Sequence, residues 1–202
     1  MSTQILTSDL TITGDGILVV AATSHELAKP SGWRTLVCGV GPVDAAAATA
    51  AAITQHAPLA LLHVGIAGVR RARSLPAGSL VIGSDAKYCD LAISPQWAPN
   101  TVAASAILLA AVQAALPDAV TLTIGTSARV GGSTGCDVEA MEGFAVLRAA
   151  EQASIPAVEV RVISNDIEER DRTRWEFALA FETIIRITPS LVAAISRAMH
   201  HA

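Results

Sequence analysis

Five polar residues sit where a mostly apolar chain has little reason to put them: Glu26, Glu142, Arg161, Asn165 and Asp166. Arg161 is enclosed in Val158-Glu159-Val160-Arg161-Val162-Ile163, a run of the kind that forms a strand covered on both faces. A guanidinium placed there is costly unless its charge meets a carboxylate or a substrate oxygen, so it either closes a strand-end ion pair or holds a ligand. Glu142, in Ala140-Met141-Glu142-Gly143, is either a first-turn charge favoured by the helix dipole or a ligand clamp. Ser164-Asn165-Asp166 follows the Arg161 strand, and strand alternation points 165 and 166 in different directions, so only one of them faces a given site. Carboxylates, a guanidinium and an amide brought together can bind a polar metabolite and move a proton, which contributes about 10²–10⁴-fold in rate.

The elements that must position these groups alternate between short β-branched runs and alanine-rich runs. Ile17 to Ala22, Thr35 to Val40, Leu59 to Val64, Ser79 to Ser84, Val120 to Ile124 and Ala157 to Ile163 read as strands. Pro42 to His56, Val102 to Ala115 and Glu139 to Ser154 read as helices, and Thr173 to Ala202 as two helices divided near Thr188-Pro189. The alternation predicts parallel pairing and an α/β fold of three layers, α/β/α, with a mostly parallel, partly mixed central sheet. All 202 residues are expected in a single domain. Ligands of such sheets lie beyond the carboxyl ends of the strands, where Thr23 to Glu26, Gly39 to Asp44, Gly65 to Gly68 and Ser164 to Asp166 fall.

Gly39-Val40-Gly41-Pro42-Val43-Asp44 follows a strand and opens a helix, but Asp44 holds the third glycine position of a dinucleotide-binding loop and no acidic residue ends the next strand. No cofactor is expected. The glycines make a tight turn, and a helix N-terminus there offers backbone N–H groups to a water or sugar oxygen. Gly65-Ile66-Ala67-Gly68 allows a flat substrate close to the backbone. Neither loop carries the Lys-Ser/Thr of a P-loop.

Composition narrows the function further. With 51% hydrophobic and 16% charged residues the chain has the makings of a large core. A net charge of -4, with basic residues scattered apart from Arg70, Arg71, Arg73 and the run Arg170 to Arg174, leaves no footprint for nucleic acid. The longest apolar stretches are cut before the roughly 18 to 20 residues of a membrane span, and Met1 to Gly16 lacks a basic region followed by a hydrophobic block, so no membrane association and a cytoplasmic location are expected. Cys38, Cys89 and Cys136 form no CxxC and read as buried hydrophobes; no metal is expected, and neither His25 nor His63 has a partner at metal-ligand spacing.

Taken in order, Val19-Val20-Ala21-Ala22-Thr23 with Glu26, Gly39-Val40-Gly41-Pro42-Val43-Asp44-Ala45-Ala46, Gly65-Ile66-Ala67-Gly68, Met141-Glu142-Gly143 and Arg161-Val162-Ile163-Ser164-Asn165 cover nearly the whole chain. This pattern resembles the nucleoside phosphorylase and nucleosidase superfamily. Within it, the glycine loop, Ala140-Met141-Glu142-Gly143 and Ile163-Ser164-Asn165 followed by Arg170-Asp171-Arg172 and Trp175 are most similar to the futalosine hydrolases of menaquinone biosynthesis. Asn165 follows Glu142 by 23 residues, the spacing between ribose glutamate and catalytic aspartate in methylthioadenosine/adenosylhomocysteine nucleosidases.

The resemblance implies an N-glycosyl hydrolase acting on a 6-oxopurine nucleoside. Breaking a ribosyl C–N bond passes through an oxocarbenium-like state, so the sugar's positive charge must be protected, the purine helped to leave and water delivered. Glu142 is then expected to clamp the ribose hydroxyls and Met141 to wall the sugar. Glu26 takes the proton of the attacking water, with Arg161 fixing the water or the carboxylates. Asn165 departs from the aspartate of enzymes acting on 6-aminopurines: its amide can donate and accept but carries no titratable proton, which suits hypoxanthine. Ile66, Ala67, Gly68 and Ser164 are expected to line the pocket. Phe144 and Trp175 are either core or stacking platforms, Thr126 and Ser127 weaker candidates, and Arg170 to Arg172 either a salt-bridged surface or contacts for the substrate's benzoate. A phosphorylase is disfavoured because the glycine loop has no basic partner for phosphate, and Asp44 would oppose an anion. A methylthioadenosine/adenosylhomocysteine nucleosidase is disfavoured by Asn165, and a non-catalytic nucleoside-binding protein is the alternative of another class. Family members commonly form homo-oligomers, so a dimer or tetramer is expected.

Overall fold

A computed structural model of the chain describes residues 16–94 and 96–201. The sequence-based reading of Met1 to Gly16 falls, except for Gly16, outside the described residues. Among the described residues, eight strands and four α-helices follow one another as β1 Ile17–Ala21, β2 Arg34–Val37, α1 Pro42–His56, β3 Ala60–Val69, β4 Leu80–Tyr88, β5 Thr101–Ala103, α2 Ala106–Ala115, β6 Val120–Thr126, β7 Val138–Ala140, α3 Gly143–Gln152, β8 Ala157–Asp166 and α4 Phe177–His200. The sheet is mixed but mostly parallel: β1 pairs in parallel with β2 and β3, β3 with β8, β6 with β4 and β7, while β3–β7, β4–β5 and β4–β8 are antiparallel.

Period-two alternation sorts each strand between two helical layers. Ile17, Val19 and Ala21 share a core with Leu108 and Val112 of α2 and Ile184, Leu191 and Ile195 of α4. Leu18 and Val20 share another with Ala45, Ala52 and Ile53 of α1 and Val146, Leu147 and Ala150 of α3. Strands β3, β7, β6, β4 and β8 also close a ring, since each is hydrogen-bonded to the next and β8 returns to β3. Ala67, Val69, Val81, Ile124, Val138, Ala140 and Ile163 fill its interior. Register shifts at Ala67/Gly68 and Gly83/Asp85 supply the local twist that such closure needs.

Four expectations from the sequence are corrected. Strands β3, β4, β6 and β8 run on past their expected ends, so Gly65–Gly68 and Ser164–Asp166 are strand residues rather than loops. Strand β2 is shorter than expected because Gly39 and Gly41 adopt φ of 85° and 93°. The segments read as helix from Val102 and from Glu139 begin as strands β5 and β7. Finally, Pro189 does not divide the last helix. Pro189 is exposed, Thr188 Oγ1 donates to the Ile184 carbonyl at 2.7 Å, and Ser190 Oγ donates to that of Ile187. An interior proline costs about 3 kcal/mol. Ile184, Ile187, Leu191 and Ile195 are buried along one stripe, and each such side chain contributes about 1.5–3 kcal/mol, so continuity wins. At 24 residues α4 is long and apolar enough by composition to cross a membrane, contrary to the sequence reading, yet that stripe packs on the sheet as in a core helix.

Candidate active site

Glu26, Glu142 and Arg161 meet just beyond the carboxyl end of β1, midway along the longer β3 and β8. Glu26 closes a single 3-10 turn, Ser24–Glu26, just after β1. Its Oε2 accepts from the Thr23 N–H and Oγ1, both at 2.9 Å, and Oε1 accepts from the Ile66 N–H at 3.3 Å. Glu142 stands at the N-cap of α3, not in its first turn, and makes no capping bond to its own helix. Instead its Oε1 accepts from the Gly41 N–H at 3.0 Å, across 101 residues of sequence, and its Oε2 lies 3.5 Å from Arg161 Nη2. The free N–H foreseen at the glycine turn is therefore taken by the protein's own carboxylate.

Among the described residues Arg161 is the largest fully buried side chain, and four partners hold it. Nε donates to Glu159 Oε1 at 2.7 Å, Nη2 faces both Glu142 and His63 Nε2, and Nη1 donates to the Ile66 carbonyl at 3.4 Å. His63 Nδ1 lies 3.0 Å from the Val20 carbonyl, which can only accept, so the proton sits on Nδ1 and Nε2 offers its lone pair to Arg161. Two glycines make room: a Cβ on Gly65 would lie 2.2 Å from Arg161 Nη1, and one on Gly143 2.2 Å from Glu159 Oε2.

Glu26 and Glu142 are each 4% exposed, Arg161 1% and Glu159 and His63 0%. Burial raises the Glu142 carboxyl above the ordinary carboxylate range, against the pull of Arg161 and the Gly41 N–H. Burial also raises Glu159, opposed by Arg161. Burial and the Arg161 charge together lower His63 well below the usual histidine value, so it is neutral at pH 7. Beside them the Cys38 thiol is pushed up to about 12 by burial first and Glu142 next, and stays protonated.

Asn165 lies four residues beyond Arg161 on β8, in a different setting. Its amide packs on Gly68, where a Cβ would come within 3.1 Å of Nδ2. Oδ1 accepts from Ser164 Oγ at 2.8 Å and Nδ2 donates to the Asp166 carbonyl at 2.9 Å, which leaves one donor and one acceptor position of the amide. Asp166 points elsewhere, to Arg71 Nε at 3.1 Å. A cleft of about 200 Å³ between Pro76, Ala77, Ile163, Asn165 and Glu176 touches the group only at this end.

The remaining expected residues divide. Met141 and Ile66 are half-buried, while Ala67 faces the ring interior and Ser164, buried, braces Asn165 and reaches the Ala67 carbonyl. Phe144 is packed in the core, stacked on Tyr88 with centroids 5.3 Å apart, and its N–H is accepted by Thr126 Oγ1. Ser127 Oγ donates to Asp90. Trp175 is half-buried, donates Nε1–H to the Glu169 carbonyl and lies under the Arg172 guanidinium at 5.5 Å. Arg174 pairs with Glu169 and Asp171 on the surface. Glu159 and His63 were not singled out by sequence reasoning. Alternation held the signal for Glu159, since a carboxylate two residues before a buried strand arginine lies on the same face. His63 could be placed only by knowing that β3 pairs with β8.

No family model matches the chain. A curated protein, futalosine hydrolase from Streptomyces coelicolor, is 34% identical over 186 residues, covering 80% of this chain and 78% of its own length. Among solved structures, a 5′-methylthioadenosine/S-adenosylhomocysteine nucleosidase from Colwellia psychrerythraea in complex with adenine superposes with a TM-score of 0.75 at 20% identity, covering 91% of this chain and 95% of that one. Futalosine hydrolase of Helicobacter pylori superposes with 0.71 at 14% identity, covering 92% and 97%. The fold is that of the nucleoside phosphorylases and nucleosidases, and the chain is an enzyme of the N-glycosyl hydrolase class. Within that class it belongs to the futalosine hydrolase family.

Proposed function

We propose that the enzyme hydrolyses the N-glycosidic bond of futalosine, a 6-oxopurine nucleoside, to hypoxanthine and dehypoxanthine futalosine, as a step of menaquinone biosynthesis. The observation that carries this reading is the buried convergence of Glu26 and Glu142 on Arg161 beyond the carboxyl end of β1, midway along β3 and β8. Glu142, oriented by the Gly41 N–H and Arg161, accepts from the ribose hydroxyls, and these charge-assisted bonds tighten as the sugar becomes cationic. Glu26 takes the proton of the attacking water. Thr23 and Ile66 hold its carboxylate, and Arg161 fixes its surroundings. Carboxylates outnumber the single guanidinium, and an enclosure with that excess favours an oxocarbenium-like sugar over the neutral nucleoside.

Asn165 meets the purine edge with the donor and acceptor that its two neighbours leave unused, and Met141 and Ile66 wall the sugar. Trp175 stands between Arg174 and Glu176, which line the cleft beside Asn165. The protein acts in the cytoplasm as a homo-oligomer, with a small nucleoside as its partner. The similarity to methylthioadenosine/adenosylhomocysteine nucleosidases supports a second reading, a 6-aminopurine nucleosidase. Incubation with futalosine, inosine and methylthioadenosine without phosphate, followed by identification of the freed base, decides between them. Hypoxanthine from futalosine is expected; adenine from methylthioadenosine alone overturns the reading, and base release that requires phosphate overturns hydrolysis. Asn165→Asp is expected to raise kcat/KM for methylthioadenosine relative to futalosine, and an unchanged ratio removes Asn165 from the base site.

A further inference from the structure

Glu159 is buried completely on the same face of β8 as Arg161, yet it has no role in the chemistry above. One oxygen accepts from Arg161 Nε at 2.7 Å; the other, Oε2, is buried without a hydrogen-bond partner, next to the Gly143 backbone. A buried ion pair is often replaced by apolar side chains of similar volume with no loss of stability. Packing alone therefore gives no reason for an acid here, still less for one with an unsatisfied oxygen.

The geometry of the guanidinium supplies the reason. Of five N–H groups, the one on Nε is held by Glu159, the two on Nη2 face His63 and Glu142, and one on Nη1 meets the Ile66 carbonyl. The last, also on Nη1, lies on the side of Gly65 where Glu26 Oε1 approaches, both atoms crowding the position a Cβ would take. The plane is rigid, so pinning the Nε edge sets where both terminal nitrogens point. His63 can limit rotation about that edge but cannot set its depth, because it touches Nη2 only.

We infer that Glu159 is a positioning residue: by accepting from Arg161 Nε it fixes the depth and angle at which the guanidinium presents Nη1 toward Glu26 and Nη2 toward Glu142, without itself touching substrate. The inference rests on the assignment of Glu26, Glu142 and Arg161 to the hydrolytic site. Displacing a reacting group by about 1 Å costs up to about 10²-fold in rate, so a partner that acts through geometry is read in kcat more than in KM.

Two conservative variants separate position from charge. Glu159→Gln keeps an acceptor oxygen in place and removes the charge; Glu159→Asp keeps the charge and withdraws the oxygen by about 1.5 Å, one C–C bond. With futalosine as substrate, Glu159→Asp is expected to lower kcat by about 10–10²-fold with KM within about threefold of wild type, and Glu159→Gln to retain most of kcat. The Arg161 Nε–H resonance, followed by 1H–15N NMR, is expected to exchange slowly in wild type and Glu159→Gln and quickly in Glu159→Asp. A larger loss in Glu159→Gln than in Glu159→Asp overturns positioning in favour of charge, and wild-type kcat in both folded variants overturns it in favour of packing. Should the wild type free no base from any of the three nucleosides, the functional reading fails by itself. The exchange of the Nε–H then decides the positioning: equal exchange in all three proteins overturns it.

Discussion

Two groups of arginine–carboxylate contacts, one on the surface and one inside, obey different physics. On the surface, Arg71 pairs with Asp166, Arg73 with Asp137 and Arg174 with Glu169 and Asp171, all with substantially exposed guanidiniums. Inside, Arg161 meets Glu159 at 2.7 Å and Glu142 at 3.5 Å with almost no access to solvent. The distances overlap, so distance does not separate the two groups. Solvent does: water screens and competes with the outer pairs, which contribute little, while losing one partner of the inner set leaves a charge stranded in a dry enclosure. A buried ion pair is a poor source of net stability and a good way to hold a fixed electrostatic geometry.

The largest break in that contrast is expected from Gly65→Ala, which inserts a methyl group 2.2 Å from Arg161 Nη1 and 2.9 Å from Glu26 Oε1. Activity should fall by more than about 10²-fold, with about 3–5 kcal/mol of stability lost if the guanidinium is expelled from its partners. A thermal melt and a base-release assay check it, and a wild-type rate would mean that Arg161 has slack the structure does not show. Glu26→Gln comes next: kcat should drop by about 10²–10⁴-fold with the fold intact by circular dichroism, since the amide cannot take a proton from water.

pH should then separate the two groups by sign. Glu142 and Glu159 have carboxyls raised by burial, so the folded state holds more protons than the unfolded chain. Their contribution to stability is fully present below the ordinary glutamate value of 4.5 and is lost as pH rises through the raised values. Glu168 and Asp171 run the other way. The Arg71 N–H lowers the first and Thr173 the second, so their contribution is present above the ordinary carboxylate values and lost as pH falls through the lowered ones. Glu142→Gln should therefore flatten the decline of Tm with rising pH just above 4.5, whereas Asp171→Asn should lower Tm above the ordinary aspartate value of 3.8 and converge with wild type as pH falls below it. The smallest effect is reserved for Arg174→Ala, which should move Tm by less than about 2 °C and leave kcat as it was.

Much of the fold was legible in the sequence because burial on both faces demands continuous β-branched runs, and Pro42 to His56 announces its helix by a proline at the first turn followed by alanines. The ends of the strands were not. Gly65, Gly68 and Asn165 look like loop residues by type, yet they are ladder residues, and Ser164 is the extra residue of a bulge within the strand; their smallness or polarity serves their neighbours across the sheet. Propensity rules read such residues as strand breakers, and the site is found at one of the places where tertiary contacts override propensity.

Residue type and spacing alone determined that an arginine would be buried in a strand of an α/β sheet, with a glutamate just beyond another strand and an asparagine further along its own, because hydrophobic periodicity fixes which residues can be covered and which must be explained. Only the folded chain decided that Gly41 N–H binds Glu142, that His63 is a neutral acceptor for Arg161 and that Glu159 rather than solvent holds the other edge of the guanidinium. Those contacts join residues up to 101 positions apart. Their strength comes from the exclusion of water, a property of the packed assembly that no local stretch of sequence possesses.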